Sequence, residues 1–403
     1  MSFPAEDVLD ALELTADEPS LHFLARLFAR FNLRVPFETA SKILRNADVA
    51  DPAEKPRVPE VFWGNFLEQG AGGTCFARVA AFEMLLATLG FAVRTLMGAV
   101  TAEGDHAALA VTLEAKDWIC DVGFPLPTLL ACAEGETDTP LGAVALSRTR
   151  RGWKVELVGG VPEGPRSFEL FDATVSPEEF SRRWQATFRA DSKFLAEVLL
   201  RRQLPERVVS FARGELRVDD LHSRSRIPLP RPRAPLLAGE FGVDASLLER
   251  ALAIAGDPDS EPREPEISAY LETRTSPQAA FRAIASPEGY AKLMEGAARL
   301  AAPEPAGEGW RVTLLPPEPG PHEAGSSLQE EITPDAAGLS LRVQRGSRRS
   351  FYEAVIRESR NYLVRRAPLP WPAGELLRND SLRGRLAGTL AVDLLAWQRL
   401  FNP

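Results

Sequence analysis

The chain has 403 residues, with 47 Lys and Arg against 56 Asp and Glu, which gives a formal charge of −9. An acidic balance provides no net basic face for a phosphate backbone and argues against general nucleic-acid binding. No run of 18 apolar residues occurs, and the start MSFPAEDVLDALEL lacks a basic n-region and an apolar core. The reading is therefore a soluble, cytoplasmic chain of two or three domains with no membrane span.

Three cysteines, Cys75, Cys120 and Cys132, are too few and too scattered for a disulfide framework, and in a reducing compartment each thiol stays free for chemistry. Four histidines (His22, His106, His222, His322) lie far apart and show no metal-ligand spacing, so no metal is expected.

In chain order, residues 1 to about 96 read as mostly helical. HFLARLFARF sets Phe23, Leu24, Leu27, Phe28 and Phe31 at helical spacing. A second helix begins near Thr74 and runs through CFARVAAFEMLLATL to Gly90, apolar nearly all round and therefore buried. From Phe91 the period changes to two. FAVRTLMGAV, ALAVTLEA and DWICDVGF read as three short strands, with KDW as the turn between the second and third. WKVELVGG reads as a further strand. SPEEFSRRWQATFRADSKFLAEVLLRR (residues 176–202) reads as helix, opened by a Ser-Pro-Glu-Glu start, and LLAGEFGVDASLLERALAIAG as one more.

DPDSEPREP forms a linker, set at 256–265, too rich in proline and charge to pack. Beyond it EISAYLETRT alternates as a strand and SPQAAFRAIASPEGYAKLMEG gives two short helices. Strands follow at WRVTLLP, SSLQEEIT, LSLRVQRG and NYLVRRAP. A long helix, DSLRGRLAGTLAVDLLAWQRLF, closes the chain with Leu386, Leu390, Leu394, Trp397 and Leu400 near one stripe.

The chemistry concentrates in GAGGTCFARVAAFEML. Cys75 stands where the buried helix starts, and unpaired N–H groups and the positive dipole end there favour a thiolate. Gly72 and Gly73 let backbone approach a substrate. A buried, inert cysteine is the competing reading. Asp105-His106 opens a strand and Asp121 ends the next; two antiparallel strands joined by a tight turn bring positions fifteen apart side by side. Cysteine at a helix start, histidine on one strand and aspartate on its neighbour is the order of a nucleophile, its base and an orienting carboxylate.

These residues resemble the arylamine N-acetyltransferases, within the wider transglutaminase-like cysteine superfamily. The resemblance rests on Pro36-Phe37-Glu38-Thr39, Gly72-Gly73-Thr74-Cys75-Phe76, Asp105-His106 and Asp121-Val122-Gly123-Phe124, and covers roughly residues 5–255. It implies an α+β fold: a helical bundle, a β-barrel and an α/β lid. It also implies a ping-pong transfer, from acetyl-CoA or another acyl-CoA as co-substrate, through a Cys75 thioester, to an arylamine or related small-molecule amine. Catalysis falls to Cys75, His106 and Asp121. Phe37 and Phe124 match positions that line the acceptor pocket, with core packing as their other reading. The chain departs from the family pattern at Ala71, Ala77, Val79 and Pro125, none of them in the triad. Glu38 matches a buried glutamate that pairs with arginine; Arg26, Arg30 and Arg34 are the candidates.

Residues 266–403 resemble, more weakly, the START-like helix-grip superfamily, which implies a separate α+β domain with a cavity for a hydrophobic ligand; a filled core is the alternative. The division expected is thus a catalytic region at 1–255, a linker at 256–265 and a ligand-binding domain at 266–403. Two other functions use the same features: a transglutaminase-like hydrolase or amide synthase, and a non-catalytic small-molecule-binding protein.

Overall fold

The computed structural model describes residues 4–124, 126–160, 166–257, 264–294, 299–300, 304–315, 328–345, 348–357, 360–369, 371, 376 and 380–400. Pro125 and most of the expected linker fall outside them. The chain divides into two compact units, one of residues 1–160, 164–221 and 228–261, the other of 161–163, 222–227 and 262–403.

The first unit opens with helices α1 (Ala5–Ala11), α2 (Leu21–Arg34), α3 (Ala40–Asp48), α4 (Pro59–Gln69) and α5 (Cys75–Thr88), with a two-residue strand β1 (Phe37–Glu38) between α2 and α3. Ser20 caps α2 by accepting from the Phe23 N–H at 3.2 Å. The apolar stripe read from the sequence is the buried face: Phe23, Leu24, Leu27, Phe28 and Phe31. Phe31 packs against the rings of Trp63 on α4 and Phe82 on α5, at 5.8 and 4.7 Å. Helix α5 is buried along its first eight residues, Arg78 included.

An eight-stranded antiparallel sheet stands where the barrel is expected. Its strands are β2 (Ala92–Ala99), β3 (Glu103–Leu113), β4 (Lys116–Cys120), β5 (Leu130–Ala131), β6 (Gly135–Thr139), β7 (Gly142–Arg148), β8 (Gly152–Val158) and β9 (Ser167–Thr174). They run in the order β5-β4-β3-β2-β9-β8-β7-β6. The β3–β4 turn is Glu114-Ala115, both at positive φ (51° and 59°), as a tight hairpin demands. Lys116, Asp117 and Trp118 therefore lie in β4 and do not form the turn. Asp117 instead accepts from Arg94 and from the Thr112 hydroxyl, at 2.9 and 2.6 Å.

The helix expected over 176–202 is only α6 (Pro177–Ala186), capped by Ser176. After it come a four-residue helix α7 (Lys193–Ala196) and a strand, β10 (Leu200–Gln203). Leu200 and Arg201 pair with Glu38 and Phe37 of β1, so the strand is made by a partner about 160 residues away. Strands β11 (Val208–Ala212) and β12 (Glu215–Asp219) extend that ribbon. The last expected helix of this unit is two: α8 (Ala234–Phe241) ends at Gly242, which is left-handed (φ 72°), and α9 (Ala245–Ala255) starts on the Asp244 cap.

The second unit holds β13 (Ser223–Pro228) and β14 (Glu266–Thr273), helices α10 (Pro277–Ile284) and α11 (Pro287–Leu293), then β15 (Arg299–Leu300), β16 (Glu304–Ala306), β17 (Gly309–Leu315), β18 (Leu328–Asp335), β19 (Ser340–Arg345), β20 (Arg348–Arg357), β21 (Arg360–Pro368) and a closing helix α12 (Asp380–Arg399). Its strands order as β13-β14-β21-β20-β19-β18-β17-β15. Ser276 and Ser286 cap α10 and α11, each followed by proline at the first turn. Leu390, Leu394 and Trp397 of α12 are buried, and the Trp397 indole donates to the Ala280 carbonyl at 2.9 Å. The rings of Tyr290, Tyr352 and Trp397 fill the interior in succession, and Arg365 lies over Tyr352 while paired with Asp393 at 3.1 Å.

Candidate active site

Helix α5 begins at Cys75, with Thr74 as its N-cap residue. The two glycines before it are required by contact. A Cβ on Gly72 would overlap the Pro36 carbonyl, and one on Gly73 would stand 2.8 Å from the Arg57 guanidinium. Gly73 also bridges to Phe37, its carbonyl accepting from the Glu38 N–H at 3.2 Å. The β1 segment is thereby stitched to the strand of chain that delivers Cys75.

His106 lies four residues into β3, not at its opening, because the strand starts at Glu103. The Asp105 carboxylate is used up in the preceding turn, accepting from the N–H groups of Val100, Thr101 and Ala102. Leu109 pairs with Cys120, so the register carried one step on sets Asp121 opposite Ala108, one same-face repeat from His106. His106 Nε2 then donates to Asp121 Oδ2 at 2.7 Å, leaving Nδ1 for the sulfur. The other Asp121 oxygen accepts from the Phe124 N–H at 2.7 Å. Cys75 is 5% exposed, His106 2% and Asp121 0%.

Gly123 closes this group. A Cβ there would meet the Ala107 carbonyl and stand 3.0 Å from Cys75 Cβ and 3.1 Å from His106 Cε1, so the sulfur-bearing carbon and the ring edge flank one point. The Cys75 sulfur lies 3.9 Å from the Asp105 carbonyl oxygen. Burial alone would push the His106 ring below its ordinary value. The Asp121 charge and hydrogen bond, and then Cys75, outweigh it and raise the ring to about 10. An imidazolium thus stands beside a sulfur at the start of a helix. Burial pushes the thiols of Cys120 and Cys132 up, Cys120 far up and Cys132 to about 11.

Phe124 sets its ring 6.4 Å from His106, edge to face, and 4.9 Å from Phe168. Phe37 stands on the Gly73 side, its ring 5.7 Å from Phe194.

Three buried cations were not read from the sequence as parts of the site. Glu38 does not pair with the helix-α2 arginines: Arg30 and Arg34 bind Glu13, and Glu38 has Arg57 at 3.8 Å and the Ser41 N–H at 2.8 Å. Arg78, three residues after Cys75, donates to the carbonyl of Val122 at 2.7 Å, to the carbonyl of Val35, and to Asn32 Oδ1 at 2.9 Å. Burial lowers it to about 9, against the attraction of Asp121, Glu38 and Cys75. Lys42, on α3, is lowered by burial to about 8, with Cys75 opposing. The signal for Arg57 and Arg78 was present: each is a cation inside an apolar run, PRVPEVFW and CFARVAAF. A buried arginine needs a set of acceptors, and helix ends and loop carbonyls supply them.

The sequence profile of the family described as N-acetyltransferase matches residues 20–224, half the chain. The arylamine N-acetyltransferase / N-hydroxyarylamine O-acetyltransferase of Salmonella typhimurium is 30% identical over 202 residues, covering 47% of this chain and 68% of the relative. The chain belongs to the arylamine N-acetyltransferase family. It is also similar to proansamycin X synthase of Amycolatopsis mediterranei, 33% identical over 147 residues, 34% of this chain and 51% of that one. It thus spans about two thirds of the length of its arylamine N-acetyltransferase relatives and half that of the synthase. The fold is likewise the family's: the Mycobacterium marinum arylamine N-acetyltransferase in complex with CoA superposes with a TM-score of 0.53 at 20% identity, covering 63% of this chain and 99% of that structure.

Proposed function

We propose that the chain is a ping-pong acyltransferase in which Cys75 is the nucleophile, His106 its acid and base, and Asp121 the group that orients and charges the ring. The observation that carries this reading is the buried 2.7 Å contact between His106 and Asp121, with Cys75 raising the charge of the same ring. The Cys75 sulfur attacks the carbonyl carbon of an acyl-CoA thioester. The bond between the acyl carbon and the CoA sulfur breaks as the Cys75 sulfur–acyl bond forms, and the departing CoA thiolate takes the proton of the imidazolium. An arylamine or related amine then attacks the thioester, its proton passes to the imidazole, and the Cys75 thiolate is restored with its imidazolium. The backbone N–H at the start of α5 faces the developing oxyanion. Exchange of one thiolate for another is nearly balanced, so orientation and oxyanion stabilisation carry most of the rate. Phe37 and Phe124 serve as flat walls for the acceptor.

The catalytic region proposed is residues 1–255, acting in the cytoplasm. Residues 266–403 form a second domain of START-like pattern, supported by the succession β14, α10, α11, antiparallel strands and α12. Incubation with acetyl-CoA and other acyl-CoAs, followed by intact mass measurement, tests the acylation step. An acyl adduct that disappears in Cys75→Ser is expected. No adduct with any acyl-CoA favours the second reading, an amide synthase with another acyl donor, which the 33% identity to proansamycin X synthase supports.

A further inference from the structure

Glu38 is fully buried, and its counter-charge does not come from the loop that carries the nucleophile. Beside Gly72 and Gly73 that loop offers Ala71, also fully buried and uncharged. The cation is Arg57, fifteen residues before Gly72 on the segment leading into α4, and 5% exposed. A buried guanidinium needs a full set of partners. One terminal nitrogen of Arg57 donates to the Gly72 carbonyl and lies 3.8 Å from Glu38 Oε1. The other donates to Asn65 Oδ1 at 3.4 Å, and the group lies over the Phe62 ring at 5.2 Å.

These contacts do more than neutralise Glu38. With the Gly72 carbonyl held by Arg57, the Gly73 N–H donates to the Pro36 carbonyl at 3.3 Å, and the Gly73 carbonyl accepts from the Glu38 N–H at 3.2 Å. The two peptides ahead of Thr74 are thereby fixed from both sides. Gly73 is also pressed between the guanidinium and α5: a Cβ there would stand 2.8 Å from Arg57 and 3.0 Å from the Ala77 Cβ. The chain then enters α5, whose first N–H groups find no acceptor within the helix. Those are the donors that meet an oxyanion, and the peptides ahead of them set their direction. The sulfur, the His106 ring and the Asp121 carboxylate are held by other elements, namely α5, β3 and the end of β4.

We propose that Arg57 is a positioning residue for acyl transfer: through Gly72 and Gly73 it sets the backbone at the start of α5, and with it the oxyanion donors, while the thiolate and imidazolium depend on Asp121. This inference rests on the acyl-transfer reading above and adds a residue to that site.

The test separates acylation from thiolate reactivity in the full chain. The acyl donor is p-nitrophenyl acetate, so the identity of the natural donor does not enter. The Cys75 sulfur bonds to the acetyl carbon, the bond from that carbon to the phenolate oxygen breaks, and p-nitrophenolate leaves. Iodoacetamide reads the sulfur alone, because its attack displaces iodide and forms no oxyanion. Wild type is expected to give a burst of p-nitrophenolate that Cys75→Ser lacks. No such burst overturns the acyl-transfer reading, and the Arg57 assignment with it. With the burst present, Arg57→Met is expected to slow acylation about ten- to a hundredfold, the effect of a misplaced oxyanion donor, while the rate and pH profile of Cys75 alkylation stay within about twofold of wild type. Arg57→Lys keeps a cation on Glu38 but cannot also span the Gly72 carbonyl and Asn65. It is expected to show the same split, and it carries the test if the methionine variant does not fold. Acylation within about threefold of wild type in a folded variant, or acylation and alkylation falling together, overturns the assignment and leaves Arg57 a structural ion pair.

Discussion

The residues around Cys75 divide by what their charge does. Asp121 fixes the charge of His106, and the linkage has a definite sign. The ring titrates near 10 in the folded protein against an ordinary value near 6.5. The stability it contributes is therefore complete below pH 6.5 and is lost as pH rises towards 10. In Asp121→Asn that slope is expected to vanish, since the raised value depends first on the Asp121 charge. Urea unfolding of wild type and Asp121→Asn across pH 6.5–10 checks it; parallel curves contradict the assignment. Cys75, His106 and Asp121 were legible in the sequence because their local settings (helix start, strand, strand end) are each encoded within a few residues. Lys42 was not, since nothing near ASKIL says that Phe188 and Phe194 will arrive from about 150 residues downstream.

Elements place these residues, and Arg78 is where elements meet. From α5 it reaches the loop after β4 through Val122, the end of α2 through Val35 and Asn32, and the face of Phe31 at 4.8 Å. It holds helix α5, which starts at Cys75, against the loop that carries Asp121. Arg78→Met removes the donor and leaves buried acceptors unsatisfied, which costs about 3 kcal/mol. Urea denaturation is expected to show that loss, and a change within 0.5 kcal/mol excludes a clamp. Helices with strong local signals, such as α2, α5 and α10, were legible in the sequence, as were strands with clean alternation. Strand β10 was not. LLRRQ has no local mark that separates it from the helix before it, and its pairing with β1 decides the matter. Strand β20 escaped for a related reason: arginines at both ends hide the inward Tyr352 and Ala354.

At the scale of the molecule, two units with their own interiors share one chain. Residues 257–265, proline-rich and charged in sequence, stand between α9 and β14. The passage of residues 222–227 into the second unit is not legible in the sequence, because β13 reads as a polar SRSRIP, and its pairing with β14 is to a strand about 40 residues on. Burial across the whole chain also separates its three thiols. Cys120 is fully buried with its thiol pushed far up, Cys132 is half-buried and raised to about 11, and Cys75 alone has a charged imidazole beside it.

Iodoacetamide labelling of the intact chain at pH 6, with each cysteine followed by mass, tests that separation most directly, since only a thiolate reacts at an appreciable rate there. Cys75 is expected to label well before Cys120 and Cys132, and to lose that advantage in His106→Ala. Slow, equal labelling of all three, in wild type and variant alike, contradicts the account.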